Sequence, residues 1–139
     1  MRTVTAEIRV CYGDTDQMGV VYYANYLRFF EIARAQWIRE NGRSYRDIEA
    51  AGCFLPVVEA RVRYRAPARY DDLLAVVTTA ADVRAASLRF VYEVRRVEAG
   101  APGALLAEGS THHASTNREG RPTRFPAEVT RLLREAGAA

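Results

Sequence analysis

The sequence contains no lysine, and all 20 of its basic residues are arginines. This absence excludes a lysine Schiff base with a carbonyl substrate and the lysine of a phosphate-binding P-loop. Cysteine is scarce as well, with two residues in 139. Because Cys11 and Cys53 do not have the spacing of a metal-binding pair, we expect two small core thiols rather than a disulfide or a metal site.

Histidine is equally scarce, and the two histidines are adjacent, at His112 and His113. Neighbouring side chains of a strand face opposite sides, so these two cannot hold one metal ion together. We expect one histidine in the core and one exposed. The segment 109–111 lacks the second glycine of a nucleophile elbow, which argues against a serine triad. The sequence therefore predicts neither a metal site nor a cofactor.

Long apolar runs are also missing. No run approaches the length that spans a membrane, and the first residues lack the apolar core of a signal peptide, so we expect a cytoplasmic protein without a membrane partner. With 49% hydrophobic and 27% charged residues, the chain suits a single domain over residues 1–139. The net charge is only +3 and the arginines are dispersed, which argues against a nucleic-acid partner.

Hydrophobic spacing predicts the elements. Apolar residues alternate over 4–10, as in a half-buried strand, and recur at helical spacing over 24–41, where the inward stripe is Tyr26, Phe29, Phe30, Ala33 and Trp37. A short helix is predicted at 44–51, further strands at 58–65, 73–83, 88–95 and 105–115, and a last helix from Pro126. Gly100, Pro102 and Gly103 predict the turn between the last two strands. Short turns favour antiparallel pairing, which predicts an α+β sheet packed on one long helix.

Two carboxylates, Asp14 and Asp16, stand just ahead of Gly19 and the predicted long helix. A carboxylate held near the free N–H groups of a helix start can act on a carbonyl whose oxygen those N–H groups polarise. In an extended loop, residues two apart point in opposite directions, so we expect the two acids to have different tasks. The alternative is that both are turn or helix-capping residues, which are common roles for aspartate.

The whole segment 12–26, Tyr-Gly-Asp-Thr-Asp-Gln-Met-Gly-Val-Val-Tyr-Tyr-Ala-Asn-Tyr, resembles the active-site segment of the hotdog-fold acyl-CoA thioesterases. These are the 4-hydroxybenzoyl-CoA thioesterase family, including the branch attached to the Tol-Pal gene cluster. A second pattern of that family, Tyr-x-x-Pro-Ala-x-x-Asp-Asp, recurs at 64–72, where we expect it to shape a turn. The resemblance implies the hotdog fold, an antiparallel five-stranded sheet wrapped around one long helix, which agrees with the predicted order of elements.

The resemblance also implies roles for individual residues. Asp16 corresponds to the catalytic acid, acting as nucleophile or as general base for water, and the backbone N–H of Tyr23 would donate to the thioester carbonyl oxygen. The Tol-Pal branch typically has histidine at this position, so Tyr23 is a departure that argues against help from an imidazole. Asp14 would organise the loop. Gly19, predicted to lie at the substrate, would allow a backbone conformation or a close approach that a side chain would block.

The activity that the resemblance implies is hydrolysis of an acyl-CoA to a free acid and coenzyme A. The family often recruits basic residues for the coenzyme A phosphates from two regions, which here contain Arg84, Arg118, Arg121 and Arg124. It also implies a homo-oligomer, at least a dimer and by expectation a tetramer, with the active site at the dimer interface. An exposed strand edge of a curved sheet would favour the same assembly.

Two other functions remain open for a hotdog domain. A hydratase or dehydratase needs a histidine near the helix, and this sequence has none before position 112. A non-catalytic acyl-CoA-binding or regulatory module would keep the pocket without needing Asp16, so the presence of Asp16 favours the enzyme. The sequence does not distinguish an aliphatic, a hydroxybenzoyl and a dihydroxynaphthoyl acyl group.

Overall fold

The computed structural model of the protein describes residues 2–135. Within them, five strands and three α-helices follow one another along the chain: β1 (Thr3–Arg9), α1 (Asn25–Glu40), α2 (Tyr45–Ala50), β2 (Val57–Tyr64), β3 (Leu73–Ala81), β4 (Ser87–Glu98), β5 (Ala101–Ala114) and α3 (Ala127–Glu135). A single 3-10 turn, Tyr12–Asp14, lies between β1 and α1. None of the described helices combines the length and the apolar character that crossing a membrane requires.

The strands form one sheet in the order β1-β3-β4-β5-β2, and every neighbouring pair is antiparallel. This confirms the predicted α+β hotdog arrangement, in which the sheet curves around α1. β1 and β2 are the edge strands. β2 is the more exposed of the two, because seven of its eight residues are exposed and only Val62 is partly covered.

The inward stripe of α1 packs against the concave face of the sheet, as its helical spacing predicts. Tyr26, Phe29, Phe30, Ala33 and Trp37 are all buried. The ring of Phe30 stacks on Tyr92 of β4 at a centroid distance of 4.1 Å. Aromatic rings bury large areas, so this stripe is mainly core, and its first residue, Tyr26, also borders a cavity.

The turn between β4 and β5 lies earlier than predicted. The chain reverses at Ala99 and Gly100, whose φ angles are 52° and 77°, and β5 begins at Ala101. Two consecutive residues with positive φ make the tight hairpin turn that fits the twist of the strands. Pro102 and Gly103 therefore lie in β5, at an irregular part of its pairing with β4.

The prediction of two core thiols is wrong for Cys11. Cys53 is fully buried, whereas Cys11 is exposed. The reason is that the alternation of β1 covers the even-numbered side chains up to Val10 and exposes the odd-numbered ones up to Arg9, so Cys11 falls on the exposed side. Cys11 instead begins the loop before α1, where its backbone N–H donates to the Asp14 carboxylate at 2.8 Å.

Candidate active site

Asp14 ties the loop before α1 together. Its carboxylate is buried, accepts the N–H of Cys11, and forms an ion pair with Arg28 of α1. Its carbonyl oxygen accepts the Tyr22 N–H and the Asn25 side-chain amide, both at 2.9 Å. The two ends of the loop are thereby joined, which confirms Asp14 as the organising acid of the pair.

Asp16 lies in a tight turn within the same loop. Its N–H donates to the Val20 carbonyl and its carbonyl accepts the Gly19 N–H, each at 2.9 Å. One carboxylate oxygen, Oδ1, accepts the Met18 N–H at 3.0 Å. The other, Oδ2, accepts no hydrogen bond from residues 2–135. The turn thus fixes the carboxylate while leaving one of its oxygens available for chemistry.

Gly19 is needed for its backbone conformation rather than for a close approach. Its φ is +79°, a region that side chains disfavour. A Cβ built there would meet no atom within 4 Å. Of the two reasons that the sequence offers for this glycine, the structure favours the first.

Tyr23 lies in the turn that leads into α1, two residues before the helix begins at Asn25. Its backbone N–H finds no acceptor in the described part of the chain. The carbonyl oxygen of Tyr23 is held by the Tyr64 hydroxyl at 2.8 Å. Partial burial raises the pKa of Tyr64, so that its phenol stays protonated and donates.

A cavity of about 340 Å³ joins these groups. Its wall is mostly apolar and contains Asp16, Met18, Val20, Val21, Tyr23, Tyr26, Tyr64, Arg65, Ala66 and Pro67. The cavity therefore brings together a residue with a carboxylate, a residue with an unbonded backbone N–H just ahead of α1, and an apolar surface. This combination suits an uncharged carbonyl compound whose oxygen takes up negative charge during the reaction.

The four arginines predicted at the substrate are exposed and do not line this cavity within the described chain. Arg84 and Arg124 lie at the same end of the sheet, because the Phe125 N–H donates to the Ala85 carbonyl at 2.9 Å. The guanidinium carbon of Arg118 lies 5.3 Å from the centroid of the Phe54 ring. Arg121 lies in the same loop, where its backbone N–H donates to Asn117 Oδ1.

Sequence reasoning gave no site role to two residues of the cavity wall. Tyr64 was expected only to shape a turn, yet its hydroxyl donates to the carbonyl of Tyr23, which lines the same cavity. Arg65 follows it, lines the cavity, and pairs with Glu108 of β5 at 2.6 Å. Both residues lie within the second sequence pattern, at 64–72. That pattern marked the segment as special, but it did not indicate that the segment contacts the loop before α1.

Comparison with known proteins adds independent findings. Residues 10–133 match the thioesterase-like superfamily. The acyl-CoA thioesterase YbgC of Haemophilus influenzae is 34% identical over 125 residues, covering 88% of each chain. A 1,4-dihydroxy-2-naphthoyl-CoA hydrolase of Synechocystis is 35% identical over 114 residues, covering 81% of this chain and 80% of that protein. The crystal structure of the hypothetical protein TT1821 from Thermus thermophilus superposes with a TM-score of 0.88 at 37% identity, covering 96% of this chain and 97% of that one.

Proposed function

This chain belongs to the thioesterase-like superfamily, and we propose that it hydrolyses acyl-CoA thioesters with the Asp16 carboxylate and the Tyr23 backbone N–H as its catalytic groups. Hydrolysis of acyl-CoA compounds is the activity in the names of its relatives. One observation supports the residue assignment most directly. The unbonded oxygen of Asp16 and the unbonded N–H of Tyr23 belong to groups that line the same cavity.

In the proposed reaction, the thioester carbonyl oxygen accepts the Tyr23 N–H, and the negative charge that develops on it is stabilised there. Asp16 acts by one of two routes. It attacks the carbonyl carbon, expelling the coenzyme A thiolate and forming an anhydride that water then opens. Alternatively, it takes a proton from a water molecule, whose oxygen attacks the same carbon before the thiolate leaves. Both routes consume one water and release a free acid and a thiol.

The function is tested by a hydrolysis screen that follows thiol release from coenzyme A esters of aliphatic, hydroxybenzoyl and dihydroxynaphthoyl acids. We expect thiol release from at least one class at a rate that depends on enzyme concentration. Tight binding of an ester without any thiol release would instead favour an acyl-CoA-binding module.

We expect Tyr64→Phe to lower kcat by roughly 10-fold while leaving the fold intact, because it removes one hydrogen bond at the Tyr23 carbonyl. The apolar ring of Tyr64, which packs against Tyr26 at 5.2 Å, is preserved. Steady-state kinetics measures the change. Tyr70→Phe is the matched control, since Tyr70 is also partly exposed but does not line the cavity; equal kcat values for both variants would refute a positioning role for Tyr64.

We propose that two copies of the chain pair through β2. This strand is an open sheet edge, and its exposed residues include the apolar Val57, Val58 and Tyr64. Unpaired strand edges favour association with another strand, and a two-fold axis lets the same edge pair with itself. Antiparallel pairing about the middle of β2 would set Tyr64 of one copy opposite Val57 of the other.

Light scattering is expected to give at least twice the 15.6 kDa of one chain. Because the active-site cavity includes Tyr64 at the end of β2, activity per chain should fall when dilution separates the copies. A fully active species with the mass of one chain would contradict this assembly.

We also propose that the exposed arginines bind the coenzyme A phosphates. They lie at the Val57 end of the sheet, opposite the Tyr64 end that lines the cavity, so in the proposed β2 pairing they would serve the cavity of the second copy. Arg84 and Arg124 share one end of the sheet, and Arg118 and Arg121 share the loop before α3. Replacement of Arg121 or Arg124 by glutamine should raise KM several-fold with little change in kcat, and added salt should weaken the wild type more than the variant. Equal KM values for the variants and the wild type at low salt would show that the phosphates bind elsewhere.

A further inference from the structure

Arg34 is a buried cation in the middle of α1. Only 9% of the residue is exposed, although a guanidinium stays charged at all ordinary pH values. Its Nε donates to the Tyr45 hydroxyl at 3.1 Å. The Tyr92 hydroxyl also lies beside the guanidinium, so both neighbouring polar groups are neutral phenols. No carboxylate of residues 2–135 forms an ion pair with Arg34. A buried charge without an opposite charge is costly, so this one needs an explanation.

The free end of Arg34 opens into a cavity rather than into the core. Among the described residues, the only sealed side-chain polar atom that lacks a partner is Thr78 Oγ1. The terminal nitrogens of Arg34 therefore remain accessible. They lie at a cavity of about 360 Å³, which is distinct from the one beside Asp16 and is lined by Leu27, Arg28, Glu31, Arg34, Val57, Ala60 and Thr111.

The polar groups behind Arg34 satisfy one another and carry no negative charge. The Tyr92 hydroxyl and Thr111 Oγ1 share a hydrogen bond of 2.6 Å, and Thr111 Oγ1 and His113 Nε2 share one of 2.7 Å. Burial raises the pKa of Tyr92 to about 12 and lowers that of His113 to about 4, so both side chains are neutral near pH 7. They supply a rigid polar wall but no counter-charge.

The charged residues at the mouth of this cavity do not neutralise Arg34 either. Arg28 is already paired with Asp14. Glu31 is exposed and forms no ion pair within the described chain. With Arg28 paired to Asp14, the remaining charges at this cavity are the buried guanidinium of Arg34 and the exposed carboxylate of Glu31. The lack of a bonded counter-charge at the buried guanidinium, rather than the net charge of the lining, favours an anionic occupant.

We propose that Arg34 is a specificity-determining residue that binds a carboxylate at the far end of the acyl group. Arg34 lines this cavity, and the two terminal nitrogens of a guanidinium match the two oxygens of a carboxylate. A purely apolar acyl end would leave the guanidinium desolvated and unpaired, and would be disfavoured. The preferred substrate class is then a coenzyme A ester of a dicarboxylic acid, an assignment that rests on the proposed thioesterase function.

The position of the two cavities along β2 permits this substrate. Tyr64, at the end of β2, lines the cavity beside Asp16, while Val57 and Ala60 line the cavity of Arg34. In the proposed pairing of β2 with a second copy, Tyr64 of one copy lies opposite Val57 of the other. The Asp16 cavity of one chain then adjoins the Arg34 cavity of its neighbour, and an acyl group can extend from the first into the second.

The test compares coenzyme A esters in pairs of equal length that end in a carboxylate or in a neutral carboxamide. Over a series of lengths, the wild type should prefer the carboxylate by roughly 10²-fold in kcat/KM at the best length. Arg34→Gln should abolish the preference by lowering kcat/KM for the carboxylate ester to about that for the carboxamide ester. Arg39→Gln, at an exposed arginine of the same helix, is the matched control and should keep the preference.

Three results would overturn the proposal: no preference at any length in the wild type, a preference that persists in folded Arg34→Gln, or an equal loss for both esters. If Arg34→Gln does not fold, the wild type is instead inhibited with free dicarboxylic acids and with their half-amides. Stronger inhibition by the diacids supports the carboxylate subsite, and equal inhibition refutes it. If the wild type releases no thiol at all, the thioesterase function fails. Calorimetric binding of each ester pair still measures the carboxylate preference in that case, so the two failures are distinguishable.

Discussion

Asp16→Asn is expected to lower kcat by roughly 10²-fold or more without unfolding the protein. The asparagine side chain has nearly the same volume, and its carbonyl oxygen can still accept the Met18 N–H that Asp16 Oδ1 accepts. It lacks the negative charge and the basicity that either proposed route requires. The loss should appear in kcat rather than in KM, because no other cavity-lining residue need change its position.

Stopped-flow or steady-state measurement of thiol release, with circular dichroism to verify folding, tests this expectation. Asp82→Asn is a matched control, because Asp82 is an exposed loop aspartate whose carboxylate pairs with Arg89. It should leave kcat within about 2-fold of the wild type, as surface changes usually do. An unchanged kcat in a correctly folded Asp16→Asn protein would refute the assignment of Asp16 as a catalytic group.

Asp14→Asn is informative for the opposite reason. This change weakens the ion pair with Arg28 that joins the loop to α1, so activity and thermal stability should fall together. Asp16→Asn, in contrast, should lower activity while leaving thermal stability nearly unchanged. The contrast reflects the different positions of the two acids: Asp14 is buried with both carboxylate oxygens bonded, whereas Asp16 lines a cavity and has one unbonded carboxylate oxygen.

Features that depend on local spacing were predictable from the sequence. The stripe of α1 from Tyr26 to Trp37 is buried as its helical period requires, since that period alone decides which side chains share a face. The sheet followed from strand patterns and short turns. The turn before β5 was misplaced because Pro102 and Gly103 are typical turn residues, whereas the actual turn uses Ala99 with a positive φ.

Features that depend on contacts between distant segments were not predictable. The hydroxyl of Tyr64 bonds the carbonyl of Tyr23 across 41 positions of sequence. Arg34 gave no signal, because an arginine within a helix is usually solvated and only the folded chain shows that this one is buried without a counter-charge. Asp14 and Asp16 are an intermediate case. Their motif predicted that the two acids have different tasks, and the hydrogen bonds show that the Asp14 carboxylate is fully bonded whereas that of Asp16 keeps one unbonded oxygen.

Gly109→Ala is expected to destabilise the protein by about 2–3 kcal/mol through overpacking. Gly109 lies in β5, directly beneath α1. A Cβ on this residue would stand within 2.8 Å of the Phe30 ring and even closer to the backbone carbonyl of Arg61. Phe30 cannot move aside easily, because it stacks on Tyr92 within the fully buried core. The carbonyl belongs to the neighbouring strand β2, so accommodating the methyl group requires the sheet or α1 to shift.

Urea denaturation of Gly109→Ala and of the wild type measures this loss as a lower midpoint at similar slope. Gly13→Ala is the matched control, because a Cβ there would meet nothing within 4 Å. Its midpoint should stay near that of the wild type. Because β2 provides both the edge proposed for pairing and the Tyr64 hydroxyl, a shift of this strand should also reduce activity per folded chain. Equal midpoints for the two variants would show that α1 and the sheet tolerate the extra methyl group and would refute the close packing at Gly109.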